Sequence, residues 1–573
     1  MYDLLIRNGT VVDGTGREPY VADVAVVDGK IVAIGVDLGG EATEVVDATG
    51  LLVTPGFVDI HTHYDGQVTW DPLLEPSTSH GVTTLIMGNC GVGFAPVRPG
   101  TEQWLIELME GVEDIPGTAL AEGMTWGWET FPEYLDALDA MPRAVDVGTQ
   151  VPHGAVRAYV MGDRGAKNEP ATADDIVAMR AIVQEALEAG AFGFSTSRTM
   201  AHKAIDGEPV PGTFAAEDEL FGIGEALKTV GRGLYELAPA GAAGEDIITP
   251  SKEVDWMCRL SAAIDRPVTF VLAQVDAAPT LWRELMDQSL HAVENGARVY
   301  PQIGARPAGV LIGHQAGNVF RGRRSYEELN ELPFEERIAE LRTPERRARI
   351  LNEEPSFDNP FGAYMGTQLH RIYALGDPVN YEPGPEMSVK ALAERDGVEL
   401  LEKLYDLTLE QDGKALLMFP FLNYSDGNGD ANYEMLLHPA GAIGLSDGGA
   451  HCGSICDASS PTWMLTHWAR DRTRGPKLPI ETAVKKQTHD TARLYGMADR
   501  GTLEVGMKAD LNLIDHENLR LHPPKMVYDL PAGGRRYVQD ASGYVATIVS
   551  GTVVRRNGVD TGARPGRLVR AGH

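Results

Sequence analysis

The pattern of apolar and polar positions changes twice along the chain. Near the start, DLLIRNGTVVDG, ADVAVVDGKIVAIG and ATEVVDATGLLV are short β-rich runs broken by Asn-Gly and Asp-Gly pairs. This pattern is typical of antiparallel hairpins. The other end of the chain also consists of short β-rich runs with glycine-rich turns, in GTLEVGMKADLNLIDHENLRL and GYVATIVSGTVVRRNG. The two ends therefore predict one small β-sandwich, built from residues 1–53 and 496–573.

The centre, residues 54–495, alternates apolar runs with helical patterns. ATADDIVAMRAIVQEALEAG has the acidic start and glycine stop of an amphipathic helix. Eight strand-like runs predict an α/β fold, a (β/α)8 TIM-like barrel with its active site at the C-terminal ends of the strands. The runs are TPGFVDIHTH, GVTTLIMGNCG, AVDVGTQVPHGAVR, GAFGFSTSRT, GLYELAP, PVTFVLAQ, RVYPQIGARPAG and AIGLSDGGAH.

Two segments of this centre are too long to be ordinary loops, at about residues 95–141 and 315–440. Long insertions beside strand ends usually cover or shape a pocket. The second insertion contains EELNELPFEERIAELRTPERRARILNEEP, which predicts a charged helix with most of its charges in solvent.

Composition and charge narrow the class of protein. The apolar fraction is 43 %, and 50 basic against 82 acidic residues give a net charge of -32. Such a surface repels nucleic acid and anionic membranes, and no apolar run reaches membrane-spanning length. Four cysteines are too few for a disulfide scaffold, and the N-terminus resembles a strand rather than a signal segment. We expect a cytoplasmic protein that binds neither nucleic acid nor membrane.

Two histidines follow the first central run, in GFVDIHTHYDG. In an extended strand, residues i and i+2 point to the same side. His61 and His63 would therefore aim two imidazoles at one point where the strand ends. This arrangement predicts a metal site, because imidazole is a common zinc ligand.

Two further candidate ligands end other runs. Asp447, in SDGG, is expected at the same face as the histidine pair. Two imidazoles and a carboxylate can hold a zinc-like ion and leave a position for water. Asp447 could also carry a proton from that water to a leaving nitrogen, with a capping role as the alternative. Cys90, in GNCG, is either a thiolate ligand or a small buried apolar residue.

Together these motifs carry a resemblance to a known family. LLVTPGFVDIHTHYDG, GNCG, GAFGFSTS, SDGG and KADLNLID resemble the amidohydrolase superfamily and, within it, the D-aminoacylase (N-acyl-D-amino-acid deacylase) branch. The resemblance covers nearly the whole chain and implies a zinc-dependent amide hydrolase built as a barrel plus a β-sandwich. It also implies that His61 and His63 are a metal pair, Cys90 a ligand, and Asp447 both a ligand and the catalytic aspartate.

The chain departs from the family pattern at two strand ends. The family places a metal histidine on strand five and another on strand six, where this chain has GLYELAPAG and PVTFVLAQVD. The alternative carboxylated lysine is also missing from GAFGFSTS. Glu236 and Gln274 are the nearest polar residues; a carboxylate is an acceptable zinc ligand and an amide a poor one. We expect one zinc ion, with two as the alternative, held by the histidine pair and Asp447 with Cys90 or Glu236 nearby.

Other polar residues at strand ends are candidates for substrate contact. Arg198 and Arg306 could bind a substrate carboxylate through their planar guanidinium groups, or could instead fix loops through salt bridges. His153, His202 and His451 fit substrate contact or structural hydrogen bonding better than metal ligation.

The predicted function is metal-dependent hydrolysis of a small-molecule amide, with an N-acyl amino acid as substrate, of D configuration if the resemblance extends that far. Hydrolysis of a cyclic imide, a ureide or a xenobiotic anilide is an alternative. A barrel without metal that acts as a binding or scaffold protein is a third interpretation, motivated by the missing histidines. A homo-oligomer is also expected.

Overall fold

The protein is represented by a computed structural model that describes residues 1–357, 360–444 and 446–572. Four residues of the predicted segments lie outside the described residues: Asp358 and Asn359 of the second insertion, Leu445 of the eighth run and His573 of the C-terminal segment. Over the described part of the chain, no helix has the length and apolar character needed to cross a bilayer.

The two ends of the chain share one nine-stranded sheet. They meet where Leu52–Pro55 pairs antiparallel with Leu511–Ile514. Asp28 and Gly29 form a two-residue hairpin turn, with the positive φ values of 50° and 70° that an Asp-Gly turn requires. The pairing defines a single sheet, so the sandwich and the domain boundaries stay predictions. The strands are Tyr2–Val11, Tyr20–Val27, Lys30–Gly35, Ala42–Asp47, Leu52–Pro55, Leu511–Ile514, Tyr544–Val549, Thr552–Arg556 and Val559–Asp560.

Eight parallel strands, β1 to β8, occupy the centre of the chain, and each pairs with the next in sequence order. Their side chains are almost entirely buried, which explains why they appear as continuous apolar runs. The strands are β1 (Phe57–Asp59), β2 (Val82–Met87), β3 (Asp146–Thr149, continued by Val151–Pro152), β4 (Gly193–Ser197), β5 (Leu234–Ala238), β6 (Val268–Leu272), β7 (Val299–Ile303) and β8 (Ala442–Ile443).

The pairing of these strands falls into two arcs. One arc joins β1 to β3, and the other runs from the continuation of β3 to β8, with the break at Gln150. Beyond the end of β8, a parallel bridge between Thr62 and Gly448 links the last strand to the first. The order is the one that a (β/α)8 barrel requires, while closure into one continuous barrel stays a prediction.

Helices follow most of the strands and cover the sheet. The predicted helix before β4 is Ala173–Ala189; it begins with a capping box between Thr172 and Asp175 and ends at Gly190 with φ of 117°. The other helices of this layer are His153–Met161, Asp163–Ala166, Glu217–Val230, Pro250–Ile264, Leu281–Glu294, Asp430–Leu437, Ile480–Lys486 and His489–Leu494.

The first insertion folds into three helices: α1 (Glu102–Glu113), Gly117–Gly123 and Phe131–Asp139. The second contains its own apolar core, which includes Phe320, Leu341 and Leu404. Its helices are Arg324–Glu327, Phe334–Leu341, Pro344–Asn352, Pro360–Thr367, Val389–Asp396, Leu400–Thr408 and Glu410–Gly413. Its strands Tyr373–Ala374 and Leu417–Leu422 form a sheet with Ala308–Ile312, which precedes the insertion.

The single charged helix predicted for the second insertion is wrong. The structure divides that stretch among three helices, and a proline marks each new start: Pro333 precedes Phe334–Leu341, and Pro344 begins Pro344–Asn352. Thr343 accepts the capping hydrogen bond of the last helix.

Candidate metal centre

The ends of β1 and β8 bring two imidazoles to one carboxylate. His61 and His63 follow β1, are each 1 % exposed, and have ring centroids 5.4 Å apart. Asp447 follows β8, and its Oδ1 lies 3.6 Å from Nε2 of His61 and 3.7 Å from Nε2 of His63. Both rings therefore present the same nitrogen to this carboxylate.

Cys90 comes from the turn after β2 and adds a sulfur atom to the group. Its Sγ lies 3.3 Å from Nε2 of His61. Ligand-type atoms of His61, His63 and Cys90 all lie within 4.8 Å of one another, and all three side chains are buried. These are distances at which one ion could contact all three.

The backbone at three site residues has left-handed φ values. Cys90, Asp447 and His451 have φ of 53°, 47° and 53°. Non-glycine residues rarely adopt this conformation, and such residues cluster at functional sites. Here the conformation turns the side chains of Cys90 and Asp447 towards the histidine pair.

Glu236 lies on β5, where the family pattern would place a histidine. Its Oε2 accepts a hydrogen bond from the backbone N–H of Cys90 at 2.9 Å. Its Oε1 lies 3.8 Å from Nδ1 of His61 and has no hydrogen-bond partner in residues 1–357, 360–444 and 446–572. Glu236 is thus a direct neighbour of two members of the group.

The side chain of Gln274, at the end of β6, is hydrogen-bonded to Ser425 and Asp426. Its Nε2 donates to Asp426 Oδ2 at 2.7 Å, and its Oε1 accepts from the backbone N–H of Ser425 at 3.1 Å. These contacts fix the loop that follows Leu417–Leu422, while the expectation that the amide is a poor ligand stays a prediction.

Two residues that the sequence analysis did not single out complete the surroundings of the histidines. Gln302 on β7 accepts a hydrogen bond from Nδ1 of His61 at 2.8 Å, which leaves the lone pair of that ring on Nε2, the nitrogen that faces Cys90 and Asp447. Glu113, the last residue of α1, lies with Oε1 3.3 Å from Nδ1 of His63. Both could have been found only with a three-dimensional arrangement, because a strand glutamine and a helix-end glutamate carry no motif.

Burial and neighbouring charges shift the pKa values of the residues in this group. Burial raises the pKa of Glu236 to about 8 and also raises the pKa values of Glu113 and the Cys90 thiol. Burial lowers the pKa of His61 to about 4. Burial also opposes a charge on His63, but the carboxylates of Glu113 and Asp447 raise its pKa to about 9.

The donor set fits a divalent cation. Imidazole nitrogens, a thiol sulfur and carboxylate oxygens are the ligand types that zinc takes. Within the described part of the chain, three buried atoms here have no hydrogen-bond partner: Nδ1 of His63, Oε1 of Glu113 and Oε1 of Glu236. Buried polar atoms are normally paired, so these orphans are consistent with a group that a bound ion would order.

Both arginines proposed for substrate contact have carboxylate partners within the chain. Arg198 donates from Nε to Glu253 at 2.8 Å. Arg306 is 2 % exposed, donates from Nε to Asp457 at 3.0 Å, and lies over the ring of Tyr381 at 3.7 Å. These contacts match the loop-fixing alternative, and substrate contact stays a prediction for both.

Two of the three further histidines face the group. Nε2 of His451 lies 3.9 Å from Asp447 Oδ2, and its side chain is 27 % exposed. His202 contacts Ser197 Oγ at 3.0 Å; burial, with the charges of His451 and His63, lowers its pKa to about 3. His153 is instead held by Thr196 and Glu219, at 2.8 and 2.9 Å.

A cluster of imidazole, thiol and carboxylate groups at the C-terminal ends of parallel strands is the kind of site found in metal-dependent hydrolases. Comparison with known proteins agrees. The profile of the Amidohydrolase family matches residues 44–555, so the chain belongs to that family. It is therefore a hydrolase that acts on carbon–nitrogen bonds other than peptide bonds, as the sequence predicted.

Named relatives match along the whole chain. D-aminoacylase of Alcaligenes xylosoxydans xylosoxydans is 28 % identical over 99 % of this chain and 97 % of its own length. N-acyl-D-aspartate deacylase of the same organism is 28 % identical over 100 % of this chain and 95 % of its own. The predicted resemblance to the D-aminoacylase branch is confirmed by these matches.

A solved structure of a deacylase also matches this chain in fold. N-acyl-D-glutamate deacylase from Bordetella bronchiseptica, complexed with zinc and a phosphonate inhibitor, matches with a TM-score of 0.64 and 24 % identity, over 100 % of both chains. The likeness supports a TIM-barrel catalytic domain with a separate β domain.

Proposed function

We propose that the protein hydrolyses the amide bond of an N-acyl amino acid, with N-acyl-D-amino acids as the first class to test. The observation that carries this proposal is the convergence of His61, His63, Cys90 and Asp447 at the ends of parallel strands. The substrate class is supported by the relatives named D-aminoacylase and N-acyl-D-aspartate deacylase.

One zinc-like ion would be held by His61, His63 and Asp447, with Cys90 as a fourth ligand. Zinc is the metal complexed in the Bordetella deacylase. When bound, such an ion supplies Lewis acidity to the amide carbonyl and makes hydroxide available near neutral pH. Glu236 is the candidate for a second site, because its Oε1 lies beside His61 and accepts no hydrogen bond from any described residue.

Asp447 would transfer the proton between the attacking water and the leaving nitrogen. Its two oxygens face different groups: Oδ1 faces the histidine pair, and Oδ2 faces His451. The side chain is 26 % exposed, so a substrate can reach it from solvent. Asp447 would take a proton from the attacking water and give it to the departing nitrogen.

One observation favours a second substrate class. An N-acyl amino acid carries a carboxylate, yet Arg198 and Arg306 are already paired with Glu253 and Asp457. An amide without a carboxylate, such as a cyclic imide, a ureide or an anilide, would not need either guanidinium.

The test combines metal content with a substrate panel. The protein is purified without added metal or chelator, its metal content per chain is measured, and N-acetyl-D-amino acids, N-acetyl-L-amino acids and neutral amides are assayed. About one zinc ion and turnover of N-acetyl-D-amino acids would support the main proposal. Turnover of neutral amides alone would support the second class. A chain that takes up no metal on reconstitution would refute both.

A further inference from the structure

The C-terminal end of α1, in the first insertion, reaches the metal centre from outside the parallel strands. Glu113 is its last residue and is 2 % exposed. A glutamate is rarely buried so completely without a partner. Its carboxylate therefore needs a polar partner to offset the free-energy cost of burial.

The partner that faces it is His63. Glu113 Oε1 and His63 Nδ1 lie 3.3 Å apart; both atoms are buried, and neither has a hydrogen-bond partner among the residues that the structure describes. A small rotation of the ring or the carboxylate would align one hydrogen bond that satisfies both. The opposite nitrogen of the same ring, Nε2, faces Asp447.

The backbone holds this helix end against the loop after β8. The N–H of His451 donates to the carbonyl of Glu113 at 2.5 Å, and the N–H of Cys452 donates to the carbonyl of Asp114 at 3.2 Å. The Asp114 carboxylate also accepts from Gly453 N and Ser454 Oγ at 3.0 and 2.9 Å. The position of Glu113 is thus fixed relative to the segment that carries Asp447.

The same helix also touches the loop after β4. A methyl group added at Gly111 would lie only 2.4 Å from the backbone of Ala204 and 2.5 Å from that of Ile205. This close approach places α1 between the loop that carries His202 and the loop that carries His451. Glu113 therefore lies on a rigid support rather than on a mobile surface helix.

We propose that Glu113 is a positioning residue of the metal centre, an inference that rests on the metal-dependent function proposed above. Its carboxylate accepts the Nδ1–H of His63 and so keeps the lone pair of that ring on Nε2, the atom that faces the ligand cluster. Gln302 does the same for His61 with a neutral amide. Carboxylate–imidazole pairs of this kind orient a ligand and increase its basicity.

The test measures metal binding rather than activity. Zinc affinity of the full-length protein is determined by competition with a chelator for the unsubstituted chain, Glu113→Gln, Glu113→Ala and Glu110→Gln. Cobalt-substituted samples of each are compared by their visible absorption. Glu110 is the matched control, because it lies on the same helix and loses the same charge but does not face His63.

Affinity should fall by about 10–100-fold in Glu113→Ala, with a shifted cobalt spectrum, and should be unchanged in Glu110→Gln. Glu113→Gln should lose less, because its amide oxygen can still accept the Nδ1–H of His63, as that of Gln302 does for His61. If Glu113→Ala does not fold, Glu113→Leu, which fills the space without offering an acceptor, replaces it. Zinc affinity within twofold of the unsubstituted protein in the variant that lacks an acceptor would overturn this inference and leave the proposed function standing. Failure of the unsubstituted protein to bind zinc would overturn both.

Discussion

At the residue scale, Asp447 combines three properties that rarely occur together. It has a left-handed φ of 47°, its Oδ1 faces two buried imidazoles, and its side chain remains 26 % exposed. A strained backbone is maintained only where the surrounding structure determines it, and here the neighbouring Gly448 carbonyl accepts from the N–H of His63 at 2.8 Å. The strain therefore places a carboxylate between the ligand cluster and solvent.

Asp447→Asn should abolish most of the turnover while leaving the fold intact. The amide retains the size of the side chain but cannot accept and release a proton, and a general acid–base group typically contributes about 10²–10⁴-fold to the rate. The measurement is kcat on the best substrate, together with metal content and the melting temperature. Asp540→Asn, in a surface pair with Lys525, is the control. A kcat near that of the unsubstituted protein would contradict the assigned role.

Site residues that follow a strand motif were predictable, and those that depend on packing were not. The motifs HTH, GNCG and SDGG identify His61, His63, Cys90 and Asp447 as candidate site residues, because each motif ends an apolar run. Glu113 reaches the site only through the path of α1, and Gln302 only through the side to which β7 turns it. The partners of Arg198 and Arg306 likewise come from distant segments that no local pattern identifies.

At the element scale, the turn after β2 is held tightly against β4. Gly91 has φ of 71°, and its N–H donates to Ser195 Oγ at 3.1 Å. A methyl group at Gly91 would lie 2.9 Å from the backbone atoms of Ser197 and Thr196. Since Cys90 precedes this glycine, the contact sets where the thiol lies.

Gly91→Ala should therefore destabilise the fold and lower the metal content. Gly100→Ala is the control, because Gly100 also has a positive φ, of 88°, but apart from its chain neighbours no described residue has an atom within 4 Å of the added methyl group. The control should lose about 1–2 kcal/mol from the left-handed backbone alone. Gly91→Ala should lose a further 1–3 kcal/mol, an order-of-magnitude value for overpacking. Urea unfolding measures both, and equal losses would show that the contact with β4 is unimportant.

Local signals also explain which helices were predictable. Thr172, Asp175 and Gly190 mark both ends of Ala173–Ala189 in the sequence itself. In the second insertion, the charge pattern suggested continuity across Pro344, whereas the steric effect of the proline ended the preceding helix. Strand order was predictable from the alternation of runs, but the break in pairing at Gln150 had no sequence signal.

At the scale of the whole molecule, one buried carboxylate joins the parallel strands to the C-terminal segment. Asp146, on β3, is fully buried and accepts from Arg500 Nη1 at 2.7 Å, while Lys508 Nζ lies 3.0 Å from the same oxygen. The backbone N–H of Arg567 donates to its other oxygen at 3.1 Å. Arg500, Lys508 and Arg567 of the C-terminal segment thus all contact the side chain of Asp146. Removing one partner from such a buried ion cluster lowers the free energy of unfolding by about 3–5 kcal/mol.

Asp146 should also make stability depend on pH in acid. Burial opposes its charge, but Lys508 and Arg500 lower its pKa below the ordinary value. A carboxylate with a lowered folded pKa contributes stability that is complete above its unfolded pKa of about 3.9 and is lost as pH falls towards the folded value. Asp146→Asn should remove that contribution, so its unfolding free energy should be lower at pH 7 and should fall less steeply below pH ~4.

Denaturant unfolding at several pH values checks this dependence, with Asp255→Asn as the control, because Asp255 is 64 % exposed and pairs with Arg259 at the surface. The control should change stability by less than about 0.5 kcal/mol at any pH. If Asp146→Asn changed stability as little as the control does, the C-terminal segment would be held to the parallel strands by other contacts, such as the backbone hydrogen bonds of Val147 with Arg567 and Val569. A loss confined to Asp146→Asn would instead show that one ionised side chain couples the C-terminal segment to the strands that carry the metal centre.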